Sequence, residues 1–143
     1  MKNNSTDIEY LSNVKILDMV DELGEIFYDM PEVELSIVPL PDDKKTECHI
    51  LNDGTLEIDR NEQSEYTLED VFDLIEMIRF CWLLSLDRNT DDVVVEADST
   101  AFANIALYAL TGCKRDIEAS NKKAAALYKK SLKSIAEKYD IDF

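Results

Sequence analysis

Acidic side chains are the residues of this chain whose spacing could support chemistry, because they occur in close pairs. Asp42 lies beside Asp43, Asp91 lies beside Asp92, and Glu96 precedes Asp98 by two positions. Neighbouring carboxylates can act as a general acid and a general base, or can hold a cation. Such pairs are more often solvated charges of loops and helix starts, where they suit the positive end of the helix dipole. The pairs alone therefore predict no active site.

Chemistry that depends on histidine or glycine has little support. His49 is the only histidine, and three glycines leave no phosphate-binding loop. A catalytic zinc ion needs three protein ligands and an open position, and a nucleophilic triad needs a histidine with partners. The stretch DRNTDDVVVEAD also lacks the glycine and the distal glutamate of an EF-hand. We expect His49 to be a half-exposed strand residue, and we expect no catalytic residue, no metal ligand set and no cofactor.

Hydrophobic periodicity predicts the elements that position the acids. Apolar residues recur near a period of 3.6 between positions 7 and 28, which indicates an amphipathic helix. Residues 33–37 alternate between apolar and polar and predict a strand. Two further alternating segments flank Asp53-Gly54, and this dipeptide is typical of a hairpin turn.

Two apolar helices follow the predicted hairpin. Thr67 and Asp70 have the spacing of a capping box and predict a helix over residues 68–86, which is apolar around most of its girth and therefore central. An alanine-rich helix is predicted from about 91–94 to 110, with an end at Gly112.

The segment 113–139 predicts a C-terminal basic helix with a solvated lysine face, capped by Asp116 or Ser120. The whole chain, residues 1–143, is predicted to be a single α+β domain: a small antiparallel sheet of about three strands packed beside four helices. Residues 1–6 are polar and are expected to be disordered.

Composition limits the compartment and the class. The chain is 45% hydrophobic and 32% charged, which excludes collagen-like and low-complexity classes. No apolar run approaches the roughly 20 residues of a membrane span, and the first residues have no secretory apolar segment. The three cysteines lack CxxC spacing and are expected to be free buried thiols. These features predict a cytoplasmic protein.

The net charge of −16 is unevenly distributed. Residues 1–100 contain 26 Asp and Glu against 7 Lys and Arg, whereas residues 101–143 contain 5 against 8. An acidic surface repels nucleic acid and anionic membranes and attracts basic protein surfaces. The charge also exceeds the magnitude of about 2–8 that keeps a small domain soluble. Composition therefore favours a basic protein partner over direct nucleic-acid or membrane binding, with solubility as the alternative explanation.

Several segments together resemble a known family: ELSIVPLPDD at 34–43, DGTLEID at 53–59, IEMIRFCW at 75–82 and EADSTAFANIALYAL at 96–110. Over about residues 10–112 the chain is similar to small zincin-like metallopeptidases of the ImmA/IrrE type from bacteria, phages and mobile elements. In that family a short sheet precedes an HExxH helix, often HExRHxW, and a later helix supplies an acidic zinc ligand. The resemblance implies a zincin-like fold with Glu96 at the third-ligand position and Asp98 nearby.

The zinc-binding histidines of that family have no counterpart here. Alignment on Arg79 and Trp82 places Glu76 and Phe80 at the histidine positions and Met77 at the catalytic glutamate. Alignment on Glu76 as the catalytic acid instead places an isoleucine and Arg79 at the histidine positions. Phenylalanine has no lone pair to donate, and arginine keeps its proton.

The resemblance therefore implies a pseudoenzyme. Its vestigial active-site positions are Glu76, Met77, Arg79, Phe80, Trp82, Glu96 and Asp98. In such a frame, Phe80, Met77 and Ile78 are expected to fill the former cleft with carbon. Arg79 is expected to pair with Glu76, Glu96 or Asp98, because a partly buried guanidinium needs a carboxylate.

These observations favour a non-catalytic acidic protein that binds and inhibits or modulates a basic protein. A nucleic-acid-binding effector is the expected partner, as for a DNA mimic or an anti-CRISPR-like inhibitor encoded by a phage or mobile element. The contact candidates lie in loops 41–47, 57–70 and 87–98: Asp42, Asp43, Glu62, Glu65, Asp91 and Asp92. One alternative is a diverged metallopeptidase or metal-dependent regulator with an atypical site. A second is a structural or regulatory scaffold, for example a homodimer.

Overall fold

The computed structural model of the chain describes residues 13–41, 46–61, 66–86 and 91–143. The elements in these ranges follow the predicted order. They are α1 (Asn13–Ile26), β1 (Val33–Val38), β2 (Thr46–Ile50), β3 (Leu56–Asn61), α2 (Leu68–Ser85), α3 (Asp92–Thr111) and α4 (Lys122–Lys138). The α+β class, with three strands beside four helices, is confirmed for the described part. Residues 1–6 and the first part of the predicted leading helix lie outside the described residues.

The sheet is mixed, which corrects the expected antiparallel arrangement. Its strand order is β1-β3-β2, with β3 antiparallel to β2 and parallel to β1. Leu56 and Ile58 of β3 are fully buried, whereas β1 and β2 are only partly covered. The most buried strand thus occupies the centre, and β1 lies along its second edge. Alternation within one strand does not encode the direction of its neighbour, so the sequence pattern could not predict the parallel pairing of β1 with β3.

The hairpin between β2 and β3 forms as the sequence predicted. Gly54 adopts a left-handed φ of 91°, which a side chain would strain. The backbone N–H of Leu51 donates to the carbonyl of Thr55, and the N–H of Thr55 donates to the carboxylate of Asp53. That hydrogen bond lowers the pKa of Asp53 because it favours the ionised form.

Helix α2 lies at the centre of the core, as its apolar girth predicted. Thr67 and Asp70 form the predicted capping box at its start. It packs against α3, whose Ala101, Ala103 and Ala106 are fully buried and permit a close approach. The largest fully buried apolar side chains of the core come from all layers: Ile16, Met19, Leu23, Phe27, Leu56, Ile58, Tyr66, Leu74, Ile75, Ile78 and Phe102.

Helix α3 is the one described helix that is long and apolar enough to cross a membrane. From the sequence, no apolar run is predicted to approach a membrane span, and α3 departs from that prediction in length and composition. In the structure 56% of its most apolar stretch is buried inside the protein. Core packing is therefore a sufficient explanation of its composition.

The C-terminal helix begins later than the sequence predicted. Residues 113–119 are non-helical, and Asn121, rather than Asp116 or Ser120, caps α4. The buried amide of Asn104 holds the non-helical connection, because it donates to the Arg115 carbonyl and accepts from the Arg115 N–H. The predicted solvated lysine face is confirmed, since all of its members are exposed: Lys122, Lys123, Lys129, Lys130, Lys133 and Lys138.

The end of α4 is tied to the turn after α1. Asp29 accepts hydrogen bonds from the Lys138 ammonium at 2.6 Å and from the Tyr139 hydroxyl at 2.5 Å. Burial alone would raise the pKa of Asp29, but these two hydrogen bonds and the Lys138 charge lower it overall. These contacts link the end of the C-terminal helix to the turn after the first helix, although the residues are more than 100 positions apart in the chain.

A disulfide joins the sheet to α2. Cys48 of β2 and Cys81 of α2 are bonded across 33 positions, and Cys113 is the free cysteine. The expectation of free thiols is therefore wrong for Cys48 and Cys81. The Cys48–Cys81 pair is not predictable from sequence spacing, because only the tertiary structure brings the hairpin and the helix together.

Arg60 is a buried cation at the same junction. It occupies the third inward position of β3 after Leu56 and Ile58, and only 1% of its side chain is exposed. Its guanidinium donates to the Thr46 hydroxyl at 2.8 Å and to the Asp70 carboxylate at 3.2 Å. One side chain thus connects β2, β3 and the first turn of α2.

We expect Asp70→Asn to lower the free energy of unfolding by about 3 kcal/mol, because it removes the countercharge of a buried guanidinium. Urea denaturation measures this loss. Glu69→Gln is the matched control, since it also removes a first-turn charge but breaks only the exposed pair with Arg115, a loss below about 1 kcal/mol. Equal losses in the two variants would show that the Arg60–Asp70 pair does not hold the junction.

Thiol counting tests the disulfide. Unfolded protein prepared without reductant should react with one equivalent of a thiol reagent, from Cys113, and with three equivalents after reduction. Reduction should also lower the free energy of unfolding by about 3–4 kcal/mol. The reason is that the unfolded chain gains conformational entropy when the cross-link between residues 33 positions apart is removed. Three equivalents before reduction would instead restore the free-thiol prediction.

Candidate binding cleft

An open cleft lies between the edge strand β2 and the helices α2 and α3. Its volume is about 990 Å³. We call it the acidic cleft, and its lining residues are Thr46, Glu47, Cys48, His49, Arg60, Asp73, Glu76, Met77, Phe80, Asp92, Glu96 and Ser99. Helical spacing explains the two helix contributions, because residues 73, 76, 77 and 80 share one face of α2, as 92, 96 and 99 do on α3.

The charge of the lining is strongly negative. Its carboxylates belong to Glu47, Asp73, Glu76, Asp92 and Glu96. Among the described lining residues Arg60 supplies the one guanidinium, and this group is already paired with Asp70. The described cleft therefore carries several more carboxylates than cations. A low-dielectric wall beside such a set strengthens its attraction for a positive ligand.

Glu76 connects the two helices that form the cleft. Its carboxylate accepts a hydrogen bond from the Thr100 hydroxyl of α3 at 2.7 Å. Burial raises the pKa of Glu76, and the neighbouring charges of Asp73 and Glu96 raise it further, against the opposing effect of the Thr100 hydrogen bond. The helices thus hold this carboxylate where an incoming cation would favour its ionised form.

Ser99 supplies a buried hydroxyl to the same lining. The residue is 2% exposed, and its Oγ has no hydrogen-bond partner among the described residues. A buried polar atom without a partner destabilises the fold, so its position in a cleft wall points to a ligand or a water as the partner. Ser99 is not among the site residues predicted from the sequence, although it follows Glu96 by three positions and therefore lies on the same helix face.

The structure divides the predicted vestigial positions into two groups. Glu76, Met77, Phe80 and Glu96 line the acidic cleft together. The expectation that carbon side chains fill this space is wrong. Phe80 is 38% exposed, and Ile78 points into the core with no exposed surface, so the cleft remains open.

The other group forms a partly buried cluster between α2 and α3. The Nε of Arg79 donates to Asp98 at 2.6 Å, which confirms the predicted pair and selects its acid. The guanidinium lies 4.4 Å from the Trp82 ring centroid and 5.0 Å from that of Phe102. Arg79, Trp82 and Asp98 therefore serve the packing of α2 against α3, with cation–π contacts adding to the ion pair.

The predicted partner-contact residues have mixed outcomes. Asp42, Asp43, Glu62 and Glu65 lie outside the described residues. Asp92 lines the acidic cleft. Asp91 caps α3, because its carboxylate accepts from the Val93 N–H.

Much of the three predicted contact loops belongs to regular elements. Residues 46–47 are in β2, 57–61 in β3, 68–70 in α2 and 92–98 in α3. The acids found in these segments are therefore held on strands and helices, which fixes their spacing more firmly than loops would.

Comparison with protein-family models, with curated proteins and with solved structures finds no match to this chain. The resemblance to ImmA/IrrE-type zincins stays a prediction from the residues that carry it. The structure itself defines a small α+β protein with an acidic cleft beside an edge strand.

We expect Glu76→Gln to raise the urea midpoint of unfolding at neutral pH. The raised pKa of Glu76 means that its contribution to stability is complete below about pH 4.5, the ordinary value, and is lost as the pH rises through the higher folded value. Glutamine keeps an acceptor for Thr100 and has no charge to bury. The gain should therefore shrink as the pH falls through the raised folded value and should be lost below about pH 4.5.

Glu22→Gln on the exposed face of α1 removes the same charge outside the cleft. If both variants gained equally at neutral pH, general charge repulsion, and not the burial of Glu76, would explain the effect.

Proposed function

We propose that this protein is a non-catalytic binding protein whose acidic cleft receives a basic side chain or basic segment of a partner protein. The observation that carries the proposal is the carboxylate set on the walls of an open cleft of about 990 Å³. A partner that brings cations there relieves the mutual repulsion of these carboxylates and gains charge-assisted hydrogen bonds.

The apolar part of the lining supports a lysine or arginine as the group that enters. Met77 and Phe80 lie on the same face of α2 as Asp73 and Glu76. Long basic side chains combine a carbon stem with a charged head, so they match a cleft that has both kinds of surface. Ser99 can accept a further hydrogen bond from a guanidinium or ammonium group through its unpartnered oxygen.

Within this proposal, a nucleic-acid-binding protein is the partner class that the charge favours. Such a protein already presents Lys and Arg placed for phosphates, and carboxylates can occupy their positions. The excess of acids in residues 1–100 supports this choice. An inhibitor of the DNA-mimic or anti-CRISPR-like kind works by this principle.

The proposal includes a zincin-like ancestry for the frame. Glu76, Met77 and Phe80 occupy the helix face where the family would hold zinc, and they line a cleft beside an edge strand. On this reading the protein is a pseudoenzyme that has exchanged metal chemistry for surface contact.

Affinity capture with two charge-matched variants tests the proposal. The cleft variant carries Glu76→Gln, Asp92→Asn and Glu96→Gln. The control variant carries Asp18→Asn, Asp21→Asn and Glu22→Gln on the exposed face of α1. Both variants lose three negative charges, so the comparison isolates position from total charge.

We expect nuclease-treated extract of the source cell to yield a basic protein that the wild type and the control variant retain and the cleft variant loses. Titration of the purified pair should show an affinity that falls at least tenfold in the cleft variant and steeply with rising salt, because exposed charges are screened. Equal binding by both variants would contradict the cleft as the contact. Binding indifferent to salt would favour the scaffold alternative, and chelator-sensitive peptide cleavage would favour the metallopeptidase alternative.

A further inference from the structure

The face of the sheet that points away from α2 carries a second cluster of polar side chains. We call this side of the sheet the outer sheet face. Cys48, Ile58 and Arg60 point toward α2, so the alternating residues Glu47, His49 and Asp59 point the other way. Glu47 and His49 are separated by two positions on β2, and Asp59 lies directly opposite Glu47 on β3. Two hydrogen-bonded strands thereby fix the three positions.

The three side chains offer one ligand atom each at short mutual distances. An imidazole nitrogen and two carboxylate oxygens all lie within 4.8 Å of one another. Zinc ligands at about 2.0–2.2 Å from the ion lie about 3.3–3.6 Å apart in a tetrahedral site. The His49 Nε2 is already 3.8 Å from a Glu47 oxygen, which is longer than a hydrogen bond and close to that spacing. Small side-chain rotations therefore suffice to close the set around an ion.

The electrostatics of the outer sheet face also favour a cation. Glu47 of β2 lies opposite Asp59 of β3, and Glu34 of β1 lies opposite Glu57 of β3. Each pair therefore places two negative charges on neighbouring strands. Such pairs destabilise a sheet. Among the described strand residues, no lysine or arginine points to this face, because Arg60 points inward. An ion between Glu47 and Asp59 would turn one repulsive pair into shared ligands.

We propose that Glu47, His49 and Asp59 form a binding site for a divalent first-row transition ion, with Zn²⁺ as the ion that this ligand set fits best. The imidazole favours such an ion over Mg²⁺ and Ca²⁺, and two carboxylates balance its charge. Three protein ligands leave at least one position for water or for a donor from a partner. Glu47 and His49 belong to the edge strand and also border the acidic cleft. The site is tested by metal binding alone, so it does not depend on the function proposed for the cleft.

Nuclear magnetic resonance gives a direct test, because His49 is the only histidine of the chain. Its imidazole signals therefore need not be distinguished from those of other histidines. We expect Zn²⁺ to shift them with saturation at one equivalent per chain, and calorimetry to give the same stoichiometry. His49→Ala and Asp59→Asn should each weaken binding at least tenfold.

Two variants control for other sources of affinity. Glu34→Gln removes one carboxylate from the same face but no ligand, so its affinity should stay within about threefold of the wild type. Cys113→Ser removes the free thiol, a potential zinc ligand elsewhere, and should leave the affinity unchanged.

Three outcomes would overturn the site. The imidazole signals could remain unmoved by excess Zn²⁺. Binding could survive His49→Ala with equal affinity, which would place the ion elsewhere. Asp59→Asn and Glu34→Gln could weaken binding equally, which would show diffuse attraction to the acidic surface and no coordination.

Discussion

A buried guanidinium holds the two layers of this protein together. Arg60 extends from the central strand, donates to Thr46 on the edge strand and pairs with Asp70 in the first turn of α2. A charge with 1% exposure is tolerated only because these partners replace its water. The same carboxylate also closes the capping box of α2 with Thr67. The start of the central helix, the central strand and β2 therefore meet at this one side chain, and the Cys48–Cys81 disulfide joins β2 to α2 as well.

The geometry of the acidic cleft follows from that junction. Once α2 is fixed against the sheet, one of its faces points inward, and the face with Glu76 and Phe80 borders the edge strand. Helix α3 packs along α2 and adds Glu96 and Ser99 to the opposite wall. The hydrogen bond from Thr100 to Glu76 then links the two walls. The acids of the cleft belong to helices and a strand, which suits a binding surface, since little backbone freedom remains to be lost on contact.

Much of the fold could be predicted from the sequence, because the relevant signals are local. The alternation of residues 33–37, the Asp53-Gly54 turn and the capping box at Thr67 each depend on neighbours within a few positions, and all three are found. The pairing of Arg79 was also predictable in kind, since a guanidinium on an apolar helix must find a carboxylate. The choice of Asp98 over its competitors was not, because it depends on the rotation of α3 against α2.

By itself, the sequence determined the identity and order of the helices and strands, the central place of α2 and the acidic balance of the first hundred residues. Only the tertiary structure decided that β1 lies parallel to β3, that Cys48 meets Cys81, that the cleft beside Phe80 stays open and that Glu47, His49 and Asp59 converge. The reason is the range of the interactions. Periodicity, caps and turns act over one to four residues, whereas these features join segments that lie far apart in the chain or on neighbouring strands.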